Sequence, residues 1–87
     1  MKIKNGFVMR ELAGEYVVIA LGDASKIFNG IIKLNDTGKI IWEMLSQGAE
    51  QESIVDAILK EYNVESAKVE ADVARFIETL KGANILE

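Results

Sequence analysis

The sequence contains no cysteine, no histidine and no proline. Without cysteine there is no disulfide and no thiol nucleophile. Without histidine there is no imidazole base, and without either there is no Cys/His zinc site. An enzyme built on this chain would rely on carboxylates, hydroxyls and lysines alone, and nothing in their spacing gathers them. Long apolar runs are missing too. The longest, Tyr16 to Leu21, is too short to span a membrane. The opening Met1-Lys2-Ile3-Lys4-Asn5-Gly6 leads into no apolar stretch with a small-residue cleavage site, so no secretory signal is expected and the cytoplasm is the expected location. No segment is Ser/Gly-rich or low in complexity, and no internal repeat is visible.

What remains is ordinary globular composition: 87 residues, 49% hydrophobic and 28% charged. That predicts one small domain over residues 1–87. A chain of this size buries only about 60–65% of its unfolded surface, which leaves no room for a large enclosed active site beside a core. The net charge of −4 is unevenly placed. Residues 1–34 carry five basic and three acidic side chains; residues 35–87 carry five basic and eleven acidic ones. An acidic domain gains little from phosphates, because nucleic-acid affinity rests largely on Lys and Arg.

The hydrophobic period changes near residue 35. Before it the chain reads as strand. Phe7–Leu12 is one candidate, and Ala13-Gly14-Glu15 is a turn. Tyr16–Leu21, rich in β-branched residues, is the strongest strand. Gly22-Asp23-Ala24-Ser25 reads as a loop. Asn29-Gly30 is a type I′ signal that could fold Lys26-Ile27-Phe28 back on Ile31–Leu34; otherwise the segment is a loop leading into a final strand at 31–34.

After residue 35 the period is helical. Asn35 or Asp36 caps a helix running through Leu45, and Gly48 stops it. A second helix runs from about Gln51 to Tyr62, with Ile54, Val55, Ile58, Leu59 and Tyr62 as its apolar positions in two adjacent rows. Ser66 is the expected cap of a third helix to about Lys81. Val69, Val73, Phe76, Ile77 and Leu80 form its apolar stripe, and Gly82 is its expected C′ residue. Ile85-Leu86 is an apolar tail tucked onto the core. Strands followed by helices give an α+β fold of three antiparallel strands and three helices, not βαβ alternation.

Chemistry-bearing constellations are sparse. Glu50, Glu52, Asp56 and Glu61 crowd the second helix, and a solvated helix face explains them. No glycine pattern for nucleotide binding and no calcium-loop pattern occurs. The serines lack a histidine partner, and the Asp-Ser-Leu motif of acyl carriers is absent. Trp42 reads as core or core margin. Ala67, Ala71 and Ala74 form a smooth strip on the third helix, flanked by Lys68 and Arg75. That helix carries Lys68 and Arg75 against Glu65, Glu70, Asp72 and Glu78, a poor balance for a DNA-reading helix.

The ordered set Leu34-Asn35-Asp36-Thr37-Gly38, Trp42, Leu45 and Gly48 resembles the "LN-x-TG-x-x-x-W-x-x-L-x-x-G" signature of the PqqD family. Tyr62-Asn63-Val64, then Ala71-Asp72-Val73 with Phe76, Ile77 and Leu80, are similar to its later pattern. The likeness covers about residues 5–87. It implies a winged-helix-like fold and a non-catalytic, cofactor-free role as a RiPP recognition element. Such proteins bind the leader of a ribosomally made precursor peptide and present it to a modifying enzyme, often a radical SAM protein.

In that family the leader adds as a strand beside the third strand and packs on the third helix. Carried onto this chain, the peptide-binding residues are Gly30, Ile31, Ile32, Lys33 and Leu34 on the strand, with Val69, Asp72, Val73, Arg75 and Phe76 on the helix. The stretch Ala20-Leu21-Gly22-Asp23-Ala24 departs from the "LAPE" of proteins dedicated to PQQ biosynthesis, which places the chain in the broad family. Two alternatives stand beside this reading: a winged-helix DNA-binding protein, and a module that dimerises through its sheet edge.

Overall fold

The computed structural model describes residues 1–87. Three strands, β1 (Phe7–Leu12), β2 (Glu15–Ala20) and β3 (Ile32–Leu34), precede three helices, α1 (Asp36–Ser46), α2 (Gln51–Glu61) and α3 (Ser66–Gly82). The sheet is antiparallel in the order β1-β2-β3, so β1 and β3 are its two edges. β1 and β2 form a hairpin whose register runs from Phe7↔Ala20 to Leu12↔Glu15. Ala13 and Gly14 both take positive φ, 52° and 82°, as a two-residue type I′ turn requires. β3 joins β2 through Tyr16↔Leu34, Val17↔Lys33 and Val18↔Ile32.

Alternation along the strands separates two faces. Phe7, Val18 and Leu34 are buried towards the helices, with Met9, Tyr16 and Ile32 half-buried beside them. The other face carries Arg10, Val17 and Lys33 in one row of the register. Against the sheet pack Ile41, Trp42 and Leu45 of α1, Ile54 and Ile58 of α2, and Val73, Ile77 and Leu80 of α3. Trp42 is therefore core. Ile85 and Leu86 are buried as well. Their segment runs beside the start of the chain: Lys4 N–H donates to the Ile85 carbonyl at 2.8 Å, Glu87 N–H donates to that of Lys2 at 2.9 Å, and Ile3 bridges Leu86.

One open alternative is decided and three local expectations are corrected. Neither Asn29 nor Gly30 has positive φ, so they form no type I′ turn and residues 26–28 no returning arm. The segment is a loop, and β3 has three residues. Gly22–Lys26 is a short 3₁₀ helix, not a loop; it points Ala24 into the core. Ser66 is the first helical residue of α3, and extended Glu65 precedes it with no side-chain cap bond. Gly82 lies inside α3 rather than past its end.

The C′ residue of α3 is Asn84, at φ 61°. Asn84 N–H donates to the Lys81 carbonyl and Ile85 N–H to that of Leu80. This is a Schellman closure that draws Ile85 against Leu80, and the hydrophobic contact extends the helix beyond its glycine. Gly48 closes α1 the same way at φ 85°, as its position in the sequence predicts.

Candidate functional site

β3 has one partner strand and one open edge. No backbone hydrogen bond reaches residues 29–34 from outside the β2 ladder. Ile32 and Leu34 face the helices; Lys33 and Ile31 face out, and Ile31 is 62% exposed. The strand ends at Asn35, whose side chain turns back to accept the Gly38 N–H at 2.7 Å and caps α1. The first turn of α1 is thus fixed directly against the end of the open edge.

Two open clefts meet there. One, of about 510 Å³, runs past Tyr16, Lys33, Leu34 and Asn35 to Phe76. The other, of about 480 Å³, continues from Asn35, Gly38 and Phe76 along Asp72, Arg75 and Thr79. Asn35 and Phe76 line both, so the two form one groove between the end of β3 and one flank of α3. At its middle the apolar ring of Phe76 stands beside the polar Asn35, and charged side chains lie towards both ends.

All the charged side chains that line the groove except Asp36 have a partner. Asp72 lies 3.6 Å from Arg75 and 3.7 Å from Lys68. Lys33 lies 3.9 Å from Glu15, with both side chains exposed. Pairs of this kind are worth little and exchange readily with an incoming charge. The Lys39 ammonium stands 4.3 Å from the centroid of the Tyr16 ring, a cation–π geometry. Contact with the Tyr16 hydroxyl, then attraction to Tyr16, Glu43 and Glu11, holds Lys39 above its ordinary range, with desolvation opposing.

The ten residues named from the sequence separate into groups. Ile32, Lys33, Leu34, Asp72, Arg75 and Phe76 lie on β3 or around the groove. Gly30 and Ile31 lead into β3. Val69 and Val73 turn inward and are buried, Val73 completely, so they back the groove wall without reaching its surface. Tyr16, Asn35 and Gly38 line the groove and were not named as binding residues, although Asn35 and Gly38 stand in the Leu34–Gly38 motif. The larger cleft, about 710 Å³, lies elsewhere, among Met1, Glu50, Glu52, Asp56 and Glu70. There the Met1 ammonium is 2.9 Å from Glu50, and no group of acidic side chains in the structure is arranged to hold a metal ion. No helix is long and apolar enough to cross a membrane.

The sequence model of the family described as "Coenzyme PQQ synthesis protein D (PqqD)" matches residues 15–86. The chain belongs to the PqqD family. No curated protein matches it. Among solved structures, it is similar to TbiB1 in complex with the TbiA(beta) leader peptide, at 33% identity and a TM-score of 0.80, covering 100% of this chain and 95% of that one. It also shares its fold with a lasso peptide synthetase B1 complexed with the leader peptide, at 21% identity and a TM-score of 0.78, covering 99% and 95%. The PqqD-family expectation from the Leu34–Gly38 motif and the α3 pattern is borne out, as is the α+β order of three strands and three helices.

Proposed function

We propose that this PqqD-family chain is a non-catalytic adaptor that captures the leader segment of a ribosomally made precursor peptide by strand addition to β3. The observation that carries the reading is the open edge of β3 beside a groove with Phe76 at its middle. Main-chain hydrogen bonds along Ile31–Leu34 supply affinity, and side chains entering the groove supply selectivity. The similarity to TbiB1, solved with a leader peptide, supports a leader-binding role for this chain. Ile31, Ile32, Lys33 and Leu34 meet the peptide backbone; Asp72, Arg75 and Phe76 meet its side chains. The bound leader is then presented to a modifying enzyme, of the radical SAM class or another, in the cytoplasm.

The DNA-binding alternative is disfavoured by charge. The two basic side chains on the groove flank of α3 share Asp72, and the acidic residues of the chain outnumber its basic ones. Without peptide, β3 is also the edge through which two copies would pair.

Hydrogen exchange with the TbiA(beta) leader peptide as probe tests the proposal. Amides of residues 31–34 gain protection on adding peptide, and those of β1, the other edge, do not. Unchanged exchange at 31–34, or protection at β1 instead, overturns it. Light scattering on the free protein reports pairing of copies.

A further inference from the structure

We infer that Gly38 sets the width of the groove beside Phe76, and so the size of the apolar side chain that a bound peptide can insert there. The inference rests on the strand-addition reading above. Gly38 lies in the first turn of α1 with helical backbone, a conformation that any residue adopts. Alanine is the better helix former, so the backbone gives no reason for glycine here. The reason is steric.

A Cβ at position 38 would lie 3.2 Å from Asn35 Oδ1, 3.3 Å from Phe76 Cε2 and 3.5 Å from Leu34 Cδ2. The first two are closer than an ordinary contact, so each of these neighbours must give by a few tenths of an ångström. Asn35 is held by its 2.7 Å bond to the Gly38 N–H. Leu34 is buried and already at ordinary distance. Phe76 is half-buried and borders open space in both clefts. Asn35 gives only slightly, and the ring is the neighbour with room to move, outward and into the groove. Glycine lets the Phe76 ring lie against α1 and keeps the groove open. A single methyl group there narrows it at its middle.

Two measurements test this. In the first, the three phenylalanines, Phe7, Phe28 and Phe76, are replaced by a fluorinated analogue and followed by ¹⁹F NMR without any peptide. Gly38→Ala shifts the Phe76 resonance and leaves Phe7 unchanged; an unmoved Phe76 resonance overturns the inference. In the second, a displayed library of random peptides is selected on wild type, Gly38→Ala and Gly38→Ala/Phe76→Leu. Wild type enriches a large apolar residue at one position. Gly38→Ala binds the wild-type winners roughly tenfold more weakly and enriches a smaller residue there, as expected for a methylene-sized change in an apolar site. The double variant recovers the large residue, which a merely destabilised α1 would not do. Retention of peptides by wild type with the same preferences in Gly38→Ala overturns the inference alone. A wild-type protein that retains no peptide overturns the strand-addition reading and this inference with it.

Discussion

Arg75 Nη1 lies 3.6 Å from Asp72 Oδ1, one turn apart on the flank of α3 that faces the groove. Asp72 also draws Lys68 to 3.7 Å, so one carboxylate restrains both cations on that wall. Replacing Asp72 by Asn releases them. Stability changes by less than about 0.5 kcal/mol, because exposed ion pairs contribute little. Association with an acidic probe peptide becomes faster and more dependent on salt. Stopped-flow fluorescence at two ionic strengths measures it; an unchanged rate at low salt removes Arg75 and Lys68 from the binding surface.

Asn35 is the hinge between strand and helix. Its Ala variant loses the cap on the Gly38 N–H and destabilises the fold by about 1 kcal/mol. In a domain of this size that lowers the melting temperature by roughly 4–8 °C. Asn35→Asp retains the acceptor and adds a charge at the positive end of α1, so it restores the loss. Calorimetry on the three proteins checks the order wild type ≈ Asp > Ala.

Much of this architecture is legible in the residues. The run Tyr16–Ala20 reads as strand by its β-branched composition, and the stripe Val69–Leu80 has one dominant period that burial follows. Asn29-Gly30 left two paths open because its dipeptide preference is local, whereas Gly22–Lys26 and the packing of Ala24 decide the path of that loop. The end of α3 was displaced for a similar reason: the docking of Ile85 outweighs the preference of Gly82 for a terminus. At the groove, Phe76 reads as core by its period alone. Its half-exposed position follows from how α3 lies against α1, a tertiary fact with no sequence period. Val69 and Val73 obey their period and are core.

The Tyr16–Lys39 contact has a pH signature. The folded state raises the Lys39 pKa above 10.5. The stabilisation is therefore fully present below 10.5 and fades as pH rises through the higher, folded value. Denaturant midpoints of wild type and Lys39→Met differ by a constant amount across the neutral range and converge in strong alkali. A difference that grows with alkalinity contradicts this sign.

Ile85 is fully buried although it lies next to the end of the chain. Ile85→Ala leaves a cavity against Leu80 and costs about 2–5 kcal/mol. Against a typical total of about 5–15 kcal/mol, that loss moves a small domain visibly towards unfolding. Urea titration followed by Trp42 fluorescence measures it, and a shift no larger than that of a surface substitution would place the tail outside the cooperative unit.

The pairing of Lys2–Lys4 with Ile85–Glu87 brings the two ends of the polypeptide to one spot on the surface. A domain with adjacent ends can be spliced into a surface loop of a larger protein with little strain on either. It can likewise be closed into a ring by a short linker and reopened at the exposed Ala13-Gly14 turn. Residues 1–87 are therefore portable: the open edge of β3 and the flank of α3 can be moved together, as one cassette.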